Sequence, residues 1–141
     1  GVPQMDEVVA GLLVGTVSDA EDGSLLRDRG VDVVVSLTHD DPDTEPVPRV
    51  DVPMIDGPRN EYPAFAEAVE AVVERRDAGQ RVLVHCSAGA SRSPAVAAAA
   101  VTRLTDRDLG EAFEQVSARR SEVDPHDALV RRAATFATQD R

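Results

Sequence analysis

The chain has no lysine and no tryptophan, one cysteine, one tyrosine and three phenylalanines in 141 residues. Each shortage closes off a class of protein. All 15 basic residues are arginine and stand against 26 carboxylates, for a net charge of −11. A chain so acidic repels phosphodiester backbones, so nucleic acid is not an expected partner. One cysteine cannot close an intramolecular disulfide, which removes the small secreted scaffolds held by such bridges. The uncharged stretches 86–91 and 93–102 are split by Arg92 and fall short of the roughly 20 apolar residues that cross a bilayer as a helix. No secretory leader is expected, and these features together imply a cytoplasmic monomer without a membrane anchor. No trio of His, Asp or Cys has the spacing of metal ligands, so no metal or other cofactor is expected.

What fills the chain instead is 22 Val and 20 Ala, with Asp outnumbering Glu 16 to 10. Dense carboxylates hold hydration in concentrated salt, where small apolar side chains and absent lysine are common. We read this as a halophilic, acidic protein; a GC-rich genome that replaces Lys by Arg is the alternative origin. The length fits one domain spanning 1–141.

Residues 11–15, Gly-Leu-Leu-Val-Gly, suit a first strand, followed by a polar stretch and a helix ending at Gly30. Val31 to Leu37 is nearly continuous in apolar, β-branched residues, as in a strand buried on both faces. Residues 38–49 hold three prolines and four carboxylates and form a solvated loop. Val50 to Ile55 is a further strand, at an edge or distorted because of Pro53. From Asn60 the period changes: Phe65, Ala68, Val69, Val72 and Val73 share one helical face, and Gly79 ends that helix. Arg81 to His85 is a compact strand, with Val82 and Val84 facing one way and Leu83 the other. Ser93 to Leu104 is an almost wholly Ala and Val helix. Asp108 and Glu111 form a capping box ahead of the next one, and Asp124 with Pro125 is expected to open the last, which carries Leu129, Ala133, Phe136 and Ala137. The order predicts a single-domain α/β fold: a central, mostly parallel sheet of four to five strands flanked by helices.

The strand ending at His85 runs directly into Cys86, then Ser87, Ala88, Gly89, Ala90, Ser91 and Arg92, and a helix follows from Ser93. A loop of small residues curling into a helix N-terminus turns successive N–H groups inward and adds the positive end of the helix dipole, which makes an anion cradle. Arg92 adds a planar fork suited to two phosphoryl oxygens. A cation at a helix N-terminus is disfavoured unless an anion joins it, so Arg92 argues for a bound anion. The same donors favour the thiolate of Cys86 and make it a nucleophile. Ser93 Oγ can reach back to the sulfur and stabilise it as a leaving group, or simply cap the helix. His85 supports the loop's shape.

His85-Cys86-x5-Arg92-Ser93, preceded by Arg-Val-Leu-Val and followed by Pro94 and an Ala-rich helix, resembles the cysteine-dependent protein tyrosine phosphatases, and most the small dual-specificity phosphatases. The likeness is strongest over 8–138: Leu12-Leu13-Val14-Gly15 with Leu25, Leu26, Gly30 and Val31 at the start, and Glu111-Ala112-Phe113 with Val116, Arg119, Arg120 and Pro125 at the end. The resemblance implies a phosphatase acting on phosphate monoesters, phosphotyrosine and phosphoserine or phosphothreonine in proteins, through a phosphocysteine intermediate. It implies a general-acid Asp about thirty residues before the cysteine. Asp56, at the exit of a strand before Gly57-Pro58, fits better than its competitor Asp51 within that strand. Tyr62 either lines the pocket mouth or lids the following helix, and His39 and His126 are expected on the surface. The loop carries Ala88 and Ala90 where phosphoinositide-directed members tend to place Lys, which points to phosphoprotein or small phosphoester substrates. A non-catalytic phosphate reader, a rhodanese-like sulfur-transfer domain and a redox sensor are the rival readings.

Overall fold

The computed structural model describes residues 4–139. Five strands form one sheet in the order β1 (Asp6–Val9), β2 (Leu12–Gly15), β5 (Val82–His85), β3 (Val33–Ser36), β4 (Arg49–Asp51). β1 pairs antiparallel with β2 across a hairpin, and the other pairings are parallel. The sheet is thus the mostly parallel one the sequence predicts. β2, β3 and β5 are buried at every position, which explains their unbroken apolar runs.

β5 fills the slot left between β2 and β3, and the connections that follow β2 and β5 lie on opposite faces of the sheet. After β2, the short helices α1 (Val17–Ala20) and α2 (Gly23–Asp28) cover one face. There Leu13, Val34 and Leu83 pack with Ala20, Leu25 and Leu26. The larger core on the other face takes Val14, Val35, Val82 and Val84 from the sheet. It also takes residues of α3 (Tyr62–Asp77), α4 (Arg92–Leu104), α5 (Leu109–Arg119) and α6 (Asp127–Thr138). The alternation expected of Val82, Leu83 and Val84 holds: Leu83 enters the smaller core and both valines the larger. α4 is buried along ten successive residues, Ser93 to Thr102, and only Ala, Val and other small side chains fit so enclosed a helix. The crevice where the connections diverge, beyond the carboxyl ends of the parallel strands, is where α/β sheets bind ligands. The residues after β5 lie there.

Several local expectations change. β1 is additional: its Asp-Glu-Val-Val sequence is half polar and four residues long, so it is not distinguishable from a loop by pattern. The single helix expected before Gly30 is two, each with its own side-chain cap, Thr16 for α1 and Asp22 for α2, and Gly30 adopts φ +68° where the chain leaves α2. β4 covers only Arg49–Asp51, although Val52 and Met54 still donate to Ser36 and Leu37 carbonyls on either side of Pro53. The Asp108–Glu111 capping box forms with both hydrogen bonds at 2.9 Å. The last helix does not start at Asp124 and Pro125. The Asp124 N–H is used instead on the Ala90 carbonyl, and His126 caps α6 by accepting the Ala128 N–H at 3.0 Å.

Candidate active site

The loop 86–92 is held by its carbonyls. His85 Nδ1 lies 3.2 Å from the Cys86 carbonyl, the Val17 N–H reaches Ser87 O at 3.3 Å, and the Asp124 N–H reaches Ala90 O at 2.8 Å. Arg120 donates to Gly89 O at 2.8 Å and Ala88 O at 3.4 Å, and the Ala95 N–H takes Ser91 O into the first turn of α4. In a trans peptide the carbonyl and the following N–H point in opposite directions. Six carbonyls engaged on the outside of the loop therefore turn the N–H groups of 87–92 toward its inside, where α4 begins. Such an arrangement of donors can cradle an oxyanion, and it is built by partners from four separate segments. Gly89 at its centre has φ +69°, and a Cβ there would stand 2.3 Å from Arg120 Nη2 and 2.9 Å from Gly15 O. Only glycine meets both conditions.

Cys86 is 3 % exposed and sits at the floor of this cradle. Ser93, fully buried, brings its Oγ to 3.1 Å from Cys86 Sγ and its N–H to 3.4 Å. Two groups of one residue thus converge on the sulfur, and Ser93 makes no helix-capping bond, because the N-cap position falls on Ser91. Arg92 spans two loops: Nη2 donates to Ser87 Oγ at 3.1 Å and Nη1 to the Met54 carbonyl at 3.1 Å. His85 is fully buried and its burial lowers its pKa, so the ring is neutral and its Nδ1–H donates to the Cys86 carbonyl.

Asp56 comes from a different loop and meets the cradle at Ser91, whose hydroxyl donates to Asp56 Oδ1 at 2.6 Å. The segment carrying it is braced on its far side by Asn60 Nδ2 on Ile55 O at 2.9 Å, and by Arg132, which donates to Asn60 O at 2.8 Å. A cleft of about 320 Å³ opens between Asp56, Ser91, Pro125 and His126. Asp51 is turned elsewhere, into an ion pair with Arg49 at 2.9 Å.

Of the residues singled out in the sequence, Cys86, Ser87, Ser91, Arg92, Ser93 and Asp56 come together here with the backbone of Ala88, Gly89 and Ala90, and His85 lies beneath them. His39 is exposed, as expected. His126 is also exposed, but its N–H donates to Ser91 Oγ at 2.9 Å, so it belongs to the rim of the site. Tyr62 begins α3, packs against the core and lines a cleft with Asn60 and Arg132 rather than the cradle; burial raises its pKa. Arg120 was legible only as one of a pair of arginines at a helix end, and nothing in that pattern reveals a buried guanidinium. Among the described residues no group of three His, Cys, Asp or Glu side chains could hold a metal ion, and no helix is long and apolar enough to cross a membrane.

Residues 12–139 match the family model described as dual specificity phosphatase, catalytic domain. The chain is 33 % identical over 135 residues to human dual specificity protein phosphatase 22, covering 94 % of this chain and 73 % of that one. It is 40 % identical over 75 residues to mouse dual specificity protein phosphatase 1, covering 53 % of this chain and 20 % of that one. Among solved structures, human DUSP28 superposes with a TM-score of 0.86 at 25 % identity, over 97 % of this chain and 95 % of that one.

Proposed function

This chain belongs to the dual specificity phosphatase family, and on that premise we propose how its own residues carry out phosphate-monoester hydrolysis through a phosphocysteine. The observation that carries the proposal is the Cys86 sulfur at the base of a loop with inward N–H groups, met by the Ser93 hydroxyl and N–H, while the Asp56 carboxyl is tied to Ser91 on the rim of the same loop. The rival readings are not favoured: a phosphate reader has no use for a general acid over the cradle, and the family is not one of sulfur transferases.

The substrate phosphoryl group sits in the cradle with its three equatorial oxygens on the N–H groups of 87–92 and on Arg92. Binding requires Arg92 to exchange its hydrogen bond to Ser87 Oγ for the phosphoryl oxygens. The Cys86 thiolate attacks phosphorus, forming S–P while the bond to the ester oxygen breaks, and protonated Asp56 gives that oxygen its proton. Since Oδ1 is held by Ser91, Oδ2 is the oxygen free to carry the proton. In the second step Asp56 takes a proton from water as the water oxygen attacks phosphorus, and the S–P bond breaks with its electron pair returning to sulfur. The Ser93 hydroxyl donates to that developing thiolate.

The substrates we propose are phosphoproteins, with phosphotyrosine and phosphoserine or phosphothreonine residues both accepted, because the loop interior offers Ala88 and Ala90 and no second cation for a polyphosphorylated lipid headgroup. The composition supports a monomeric protein working in a salt-rich cytoplasm. Burst kinetics on an aryl phosphate test the scheme: a stoichiometric first turnover in a Ser93→Ala variant supports a phosphocysteine resolved with Ser93's help, and turnover in a Cys86→Ser variant contradicts it.

A further inference from the structure

Arg120 is 8 % exposed, an unusual place for a guanidinium. It leaves the C-terminal end of α5 and passes behind the loop 86–92. Its Nε donates to Gly89 O at 2.8 Å and its Nη2 to Ala88 O at 3.4 Å. Its Nη1 faces Val14 O at 3.2 Å, Gln4 O at 3.3 Å and Asp6 Oδ2 at 3.0 Å. Asp6 provides the counter-charge, and the carbonyls anchor the plane of the fork. The other four loop carbonyls take N–H groups from the backbone or from His85, so Arg120 alone supplies a charged side chain to this network.

We propose that Arg120 is a positioning residue for the phosphate cradle, orienting the N–H groups of Gly89 and Ala90 by holding the carbonyls of Ala88 and Gly89 behind the loop. This rests on the reading of 86–92 as the site where the phosphoryl group binds. The reason is peptide geometry: each carbonyl drawn toward Arg120 turns the following N–H the opposite way, toward the bound anion. A cation on the carbonyl side also polarises those two peptides, making their N–H groups stronger donors when charge develops on the phosphoryl oxygens. Lysine cannot substitute, because a single ammonium lacks the forked donors that hold two successive carbonyls and Asp6 together. The same approach explains the glycine at position 89, where a Cβ would collide with Nη2.

The experiment compares Arg120→Lys and Arg120→Gln with the parent protein at a temperature well below each melting transition. It measures kcat and KM on an aryl phosphate, and the inhibition constant of inorganic phosphate. The expected result is a rise in KM and in the phosphate inhibition constant of about tenfold, with a fall in kcat, and little rescue by Lys over Gln. A role confined to tying α5 to the sheet would lower only the melting temperature. Folded variants that bind phosphate like the parent overturn the proposal.

If neither variant folds, the parent decides: titration with inorganic phosphate should displace the NMR signal of the Arg120 Nε–H group and slow its exchange, while the exposed arginines stay unmoved. An Arg120 signal indifferent to saturating phosphate overturns the proposal equally. A parent that neither binds phosphate nor turns over substrate removes the reading of the cradle itself, a different failure from Arg120 variants matching an active parent.

Discussion

The Ser91 hydroxyl and Asp56 Oδ1 are 2.6 Å apart, and this hydrogen bond ties a carboxyl from one loop to the rim of another, 86–92. The same Ser91 oxygen accepts the His126 N–H, so three segments meet at one hydroxyl. Asp56→Asn should therefore slow alkyl phosphates, which leave only with a proton, by about 10²–10⁴-fold, and nitrophenyl phosphate far less. It should also flatten the alkaline limb of the rate profile. Ser91→Ala should reproduce the leaving-group pattern at about tenfold, because the acid remains but is no longer held. Rates on both substrate types, measured beside Asp51→Asn, check this; the pattern appearing in Asp51→Asn alone would move the acid.

Ser93→Ala removes the hydroxyl 3.1 Å from Cys86 Sγ and should slow the second displacement more than the first. Phosphocysteine then accumulates, visible as a burst of released phenol and as trapped phosphorus on the quenched protein. A variant without a burst and with the parent rate would reduce Ser93 to packing.

His85 titrates below the ordinary histidine value because burial disfavours its charged form. The unfolded chain therefore binds a proton near pH 6.5 that the folded chain refuses, and stability should fall as pH drops below that value and level off once the folded ring also protonates. His85→Gln should remove this part of the pH dependence. Chemical denaturation of both proteins between about pH 7.5 and pH 5 measures it; parallel curves for the two would contradict the neutral, buried ring.

Sequence patterning and structure agree where one principle governs and part where two compete. β5, α3, α4 and the α5 capping box were legible because periodicity, caps and burial coincide there. The floor of the site was legible as well, since a cysteine and an arginine separated by five small residues at a strand–helix junction admit few other uses. The start of α6 was not: Asp124-Pro125 has the composition of a helix start, but the Asp124 N–H is committed to Ala90 in the loop, and the helix waits for His126. Arg120, Asn60 and Arg132 escaped for a different reason. They act on backbone carbonyls 31 to 116 residues away or close by in a bend, and carbonyls leave no mark in a sequence.

An excess of carboxylates on so small a domain destabilises it through self-repulsion that salt relieves, the Debye length shrinking to about 3 Å at 1 M. Melting temperature should therefore rise between about 0.1 M and about 3 M potassium chloride, and KM for a dianionic phosphate should fall with it as the repulsion of substrate is screened. A flat or falling melting temperature would assign the acidity to genome composition instead.

In the proposed scheme the Cys86 sulfur is the nucleophile, with Arg92 and the loop N–H groups supplying the charge stabilisation. Hydrolysis of an aryl phosphate by the parent and by Cys86→Ser, each in the presence of EDTA, tests it most directly. The expected result is full parental turnover with EDTA present, turnover at background in Cys86→Ser, and inorganic phosphate binding retained by that folded variant. Activity that persists in Cys86→Ser, or that EDTA abolishes in the parent, would contradict it.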